Sequence, residues 1–168
     1  MKWRLFVDNI TLLKKTGLFD GLSDSEFTAI LNGCIEQAFP LGTIIIREND
    51  APKKMLYIVK NGEIVISTSS PTSDEHGTSD DSMITTIGVG DIFGEVSLID
   101  NYPHSATVRA ISDATLLLMP AVHFFEVVEK DRNIGYLVMR NLAKVVCQRL
   151  RDTNLSIHFG LFTEHQGA

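Results

Sequence analysis

A double change of hydrophobic period limits this chain more than any other feature. Up to Gly33, apolar residues recur at helical spacing. From Glu36 to Met119 they fall into short, β-branched runs cut by turn residues, and after Pro120 the helical spacing returns. The runs are Thr43–Arg47, Met55–Val59, Glu63–Thr68, Met83–Ile87, Ala106–Ile111 and Thr115–Met119, and the region reads as seven or eight strands. Short strands repeating every ~8–12 residues between turn signals predict an antiparallel sandwich or barrel, not a parallel sheet. The expected class is mainly β (α+β). The chain divides into N-terminal helices over 1–34, strands over 35–119, C-terminal helices over 120–155 and a tail over 156–168. Its 168 residues fit a single domain.

Local signals sharpen the elements. Leu5, Phe6, Ile10 and Leu13 make the first helix, which Gly17 ends. Ser23 caps the second, with Glu26 three residues on as the other half of a capping box and Phe27, Ile30 and Leu31 as the apolar face. Asn61-Gly62 is a hairpin signal, answered by Glu63–Thr68 as the return strand. Ser69–Ser82, polar almost throughout, reads as a long, mobile hairpin loop. Val122, Phe125, Val127 and Val128 suit a short helix. In the long helix after Asp131, Ile134, Leu137, Val138, Leu142, Val145, Val146 and Leu150 form a stripe, with Arg132, Arg140, Lys144 and Arg151 largely off it.

Charge narrows the function. The net charge is −6, but Asn61–Asp113 carries nine acidic residues against Arg109 alone, −8, which leaves +2 elsewhere. An acidic chain is a poor coat for nucleic acid or an anionic membrane. Cys34 and Cys147 lie far apart, without CxxC spacing, and are expected as reduced, mostly buried thiols. No signal peptide or ~18-residue apolar span is present, so a soluble, cytoplasmic protein is expected.

Catalytic patterns are missing. There is no GxSxG, HExxH, EF-hand loop or Walker A sequence, and Asp74, Asp80 and Asp81 do not match a metal cage. The expectation is a protein that is not an enzyme and carries no metal or cofactor. The one stretch suited to an anion is Asp91–Ile99. Gly94 lets a ligand approach the backbone, and a short helix starting there offers free amides. Glu95 at the mouth of that nest is wrong for a phosphate unless it accepts hydrogen bonds from sugar hydroxyls.

These residues form an ordered set. Leu56–Val65 resembles the central hairpin of the cyclic-nucleotide-binding domain. Phe93–Ile99 followed by Asn101–Ala110 resembles that family's phosphate-binding cassette, here 93–107. Gly21–Asp24, Gly42, Gly90-Asp91 and the long last helix fall in the family's order, so the resemblance covers about residues 16–155. The chain is identified as a member of the kind found in catabolite activators and kinase regulatory subunits. The resemblance implies a jelly-roll, a double-stranded antiparallel β-helix, that senses cyclic AMP or cyclic GMP.

The implied ligand set follows the cassette. Glu95 matches the acceptor for the ribose 2′-hydroxyl, with backbone contacts from Gly94 and Val96. Ser105 donates to the phosphate, and Ala106 completes the segment. Thr153 and Asn154 match the pair that reaches the purine. Where the family places an arginine on the phosphate, this chain has His104. Imidazole lacks the fork and permanent charge of guanidinium, so ~10- to 100-fold of affinity is at stake. If His104 makes this contact, binding needs its protonated form and strengthens as pH falls through ~6.5. The alternative is a degenerate cassette serving as a protein-interaction or dimerisation module.

Only 156–168 follow the long helix, too little for a helix-turn-helix. The expected partners are therefore a cyclic nucleotide and a second copy through the C-terminal helix or a separate effector. DNA and membrane are not expected partners.

Overall fold

The computed structural model describes residues 2–69 and 81–164, with side chains over 9–69 and 85–155. Helices α1 (Lys2–Lys15) and α2 (Asp24–Leu31) come first. Ser23 and Glu26 form the capping box, the Ser23 side chain accepting from the Glu26 amide and the Glu26 carboxylate from the Ser23 amide. Eight strands follow: β1 (Ile35–Phe39), β2 (Ile44–Ile46), β3 (Met55–Asn61), β4 (Ile64–Ser69), β5 (Asp81–Ile87), β6 (Ile92–Phe93), β7 (Thr107–Ala110) and β8 (Ala114–Pro120). Helix α3 (Glu95–Asp100) interrupts them, and α4 (Ala121–Lys130) and α5 (Arg132–Glu164) close the chain.

The strands form two antiparallel sheets, in the orders β1-β8-β3-β6 and β2-β7-β4-β5. This is the jelly-roll. Leu56, Ile58, Leu117 and Met119 turn to one side of the first sheet, against Leu13, Phe19, Phe27, Ile30, Phe124, Val138 and Leu142 of the helices. Tyr57, Val59, Leu116 and Leu118 turn to the other, against Ile45, Ile46, Ile64 and Val108 of the second sheet. Strands β3 and β8 are thus buried on both faces, which is why Leu56–Val59 and Leu116–Met119 are apolar without alternation.

Asn61-Gly62 is not a hairpin. β3 pairs with β8 and β6, whereas β4 pairs with β5 and β7 in the other sheet. The turn is a corner, and the 111–113 turn makes a second corner against it. Gly62 lies at φ +86°, and a Cβ there would stand 2.6 Å from the Asp113 carbonyl oxygen. The amide of Glu63 donates to Ser112 Oγ, and that of Ile111 to the Glu63 carbonyl. A register shift between Val59 and Asn61 marks where the strand bends. A two-residue turn with positive φ serves a hairpin or a corner equally, and packing against 111–114 decides for the corner.

The hairpin between β4 and β5 exists, but most of its loop lies outside the described residues. The tail expected after residue 155 is helical as far as Glu164, since it contains no proline and one interior glycine costs a helix only about 1 kcal/mol. The stripe on α5 is divided. Ile134, Val138 and Leu142 pack in the chain's own core, while Val146 and Leu150 are exposed. Cys34 is half-buried and its thiol is pushed up to about 12 by desolvation. Cys147 is exposed, contrary to expectation, because it sits on the outer side of α5. Among the described residues, no helix is long and apolar enough to cross a membrane.

Candidate functional site

The site is built on the β6–α3 junction. Tyr57 of β3 stacks on Phe93 of β6 at 4.7 Å between ring centroids and 3° between planes. Gly94 then turns the chain at φ +81° as the N-cap of α3. A Cβ on Gly94 would stand 2.7 Å from the Met55 carbonyl oxygen and 3.0 Å from the Tyr57 ring. The glycine is thus required by packing on β3, whatever approaches from outside.

Glu95, the first residue of α3, is 2% exposed. Its carboxylate does not stand free: Arg149 Nη1 of α5, 54 residues away in sequence, donates to Glu95 Oε1. The same guanidinium donates through Nη2 to the Ile92 carbonyl. One side chain thereby ties the long helix to both ends of the β6–α3 turn. A carboxylate so buried needs this partner, since an unpaired ion in that place costs several kcal/mol. Sequence reading missed Arg149. The available signal was a cation on the long helix inside the span that the resemblance covers.

His104 is turned into the protein. It is 5% exposed, and both ring nitrogens are engaged. The Lys53 amide donates to Nε2 at 3.1 Å, and Nδ1 lies 3.0 Å from Ser97 Oγ of α3. The backbone is held as well. The His104 amide donates to the Asp50 carbonyl at 3.0 Å, and the Asn49 amide to the His104 carbonyl at 2.8 Å. Burial and the Lys53 ammonium push the imidazole below its ordinary pKa, against a smaller opposite pull from Asp50.

The other expected residues are spread around this core. Val96 is exposed on α3, Ser105 is exposed and Ala106 half-buried just before β7, and Thr153 and Asn154 lie exposed on α5 one turn beyond Arg149. Arg109 pairs with Ile44 and Val65, on the face of β7 opposite to the buried Val108 and Ala110. Among the described residues no group of His, Cys, Asp and Glu could hold a metal ion. Asp74, Asp80 and the Asp81 side chain lie outside them.

Comparison with known proteins agrees with this geometry. The family model described as "Cyclic nucleotide-binding domain" matches residues 36–131, more than half of the chain. The CRP-like cAMP-activated global transcriptional regulator of Mycobacterium tuberculosis is 26% identical over 161 residues, covering 93% of this chain and 65% of the regulator. A cAMP-dependent protein kinase regulatory subunit of Aspergillus fumigatus is 32% identical over 117 residues, covering 68% of this chain and 28% of the subunit. The crystal structure of Thermus thermophilus catabolite activator protein superposes with a TM-score of 0.71 at 27% identity, over 87% of this chain and 63% of that one.

These findings correct one expectation. The exclusion of DNA as a partner rested on net charge and on the short stretch after the long helix. The relatives include transcriptional regulators, and the chain spans less than two thirds of their length. A charge summed over this segment therefore does not decide against nucleic acid. What the roll, the β6–α3 turn and the matched model establish together is narrower and firm: the chain belongs to the cyclic nucleotide-binding domain family.

Proposed function

We propose that the chain is a regulatory sensor that binds a cyclic nucleotide, cyclic AMP foremost, at the β6–α3 turn and reports occupancy through α5. The observation that carries this reading is the Arg149 bridge, since it makes the sugar-binding carboxylate and the long helix one unit. A ribose hydroxyl donating to Glu95 shares that carboxylate with the guanidinium, so ligand arrival alters the hold on α5. Ser105 and Ala106 offer neutral donors to the phosphate, and Thr153 and Asn154 stand on the same helix to meet the purine. The names of relatives, cAMP-activated and cAMP-dependent, support cyclic AMP over other ligands. Beyond the site, Tyr136, Met139, Val146, Leu150 and Leu155 are exposed along α5 and offer an apolar surface for a second copy or an effector.

Calorimetric titration with cyclic AMP and cyclic GMP tests the reading. Saturable binding of cyclic AMP is expected, weakened about 10-fold by Glu95→Gln through loss of a charge-assisted hydrogen bond. Absence of heat and of cassette amide shifts with either nucleotide at millimolar concentration would overturn it.

A further inference from the structure

The residue that departs most from the family's cassette does a different task here. We propose that His104 is a positioning residue: neutral, with its proton on Nδ1, it fastens the 103–106 segment to the 49–53 turn and to α3, and taking up a proton releases that fastening.

The tautomer follows from the partners. A backbone amide can only donate, so Nε2, which faces the Lys53 amide at 3.1 Å, must be the lone-pair nitrogen. A neutral imidazole then carries its hydrogen on Nδ1 and donates to Ser97 Oγ at 3.0 Å. With the backbone bonds to Asp50 and Asn49, the two ring bonds make four ties that fix residue 104 without any ligand. Ser105 and Ala106 come next in the chain, so their donors are set in place by the protein and not by the anion they meet. This deepens the sensor reading, because it makes the cassette preformed and leaves the phosphate without a side-chain cation at position 104.

Protonation has one consequence. The added proton goes to Nε2, which then points a donor at the Lys53 N–H, and that bond is lost. The charged groups felt by the ring come from the 49–53 turn, the Lys53 ammonium opposing the imidazolium and the Asp50 carboxylate favouring it, while α3 contributes the uncharged Ser97 hydroxyl. Acid therefore loosens the cassette, the reverse of what a phosphate-binding imidazolium would do.

Two measurements decide. Long-range 15N NMR of the ligand-free chain should show His104 with Nδ1 protonated and Nε2 bare at about pH 7.5, persisting below the ordinary histidine range, with the Lys53 amide shift moving when the ring finally titrates. Cyclic AMP affinity should hold while the ring stays neutral and fall up to about tenfold as acid titrates it, the worth of one lost hydrogen bond. His104→Leu should weaken binding on both sides of that titration. His104→Gln, whose amide oxygen can still accept from Lys53, should recover most of that loss and show a flat pH profile. A proton on Nε2 at neutral pH, stronger binding in acid, or tighter binding by His104→Arg would each overturn the proposal. Failure of cyclic AMP to bind at any pH sinks the sensor reading alone, since the NMR measurement decides the tautomer without ligand.

Discussion

Helix α3 is held at two places by polar contacts of opposite kinds. On one side, Ser97, His104 and the Lys53 amide form a chain of neutral hydrogen bonds between segments of the roll. On the other, Glu95 and Arg149 form an ion pair between the roll and α5, with the arginine side chain 35% exposed. Neutral buried bonds position, because they have no long-range pull and no tolerance for a missing partner. The ion pair is uneven: its guanidinium is partly in water and can turn to another partner, while its buried carboxylate must keep a donor. The contact therefore changes by exchange of partners and not by simple loss. On the sensor reading proposed above, the first anchor suits the part of the site that stays fixed, and the second suits the part that changes when a ligand arrives.

The comparison can be broken from either side. The largest expected effect is on the turn common to both anchors. Gly94→Ala places a Cβ against the Met55 carbonyl and forces a left-handed alanine, so unfolding free energy should fall by about 3–4 kcal/mol in denaturant titration. Next, Arg149→Met leaves Glu95 buried without its partner. A fully buried pair broken this way costs about 3–5 kcal/mol, and the exposure of Arg149 brings the expectation to about 2–3 kcal/mol. Hydrogen exchange should then rise at the α5 amides near residue 149 more than in β3 or β8. His104→Leu strands the Lys53 amide and Ser97 hydroxyl and should cost about 2 kcal/mol, with exchange rising in the 49–53 turn instead.

Acid sharpens the contrast. The folded-state pKa of His104 is lowered, so the unfolded chain takes the proton first. Its stabilising contribution is complete above the unfolded value of ~6.5 and is lost as pH falls through the folded one. Thermal melts of the wild-type chain should therefore fall from pH ~7 toward ~5 more steeply than those of His104→Gln. The smallest effect lies far from either anchor: Ser23→Ala removes the α2 cap and should cost about 1 kcal/mol without changing nucleotide affinity.

Much of this was legible in the sequence, for reasons particular residues show. Ser23 and Glu26 marked α2 because capping is local chemistry. Gly94 and Glu95 stood out because a turn, a short helix and a misplaced carboxylate coincide in one short stretch. Strands β1 and β6 gave no distinct signal, since β1 exposes most of its residues and β6 has only two. Asn61-Gly62 encoded a turn, but which strand lies beside it was set by contacts with 111–115. The partners of Glu95 and His104 were not readable for the same reason. Arg149 and the Lys53 amide become neighbours only after the roll has closed, and a backbone amide leaves no mark in a sequence.

The paired corners at 61–63 and 111–114 also bear on how the chain is made. β3 and β4 take their neighbours β8 and β7 from residues synthesised much later. Until Thr107–Pro120 leaves the ribosome, Leu56–Val59, apolar toward both sides, lacks the strand that completes its sheet. At translation speeds of roughly 5–20 residues per second that interval lasts seconds, long enough for a waiting strand edge to meet another chain. The same bent ribbon that seats the β6–α3 turn in the finished protein makes the nascent one depend on prompt arrival of its last two strands.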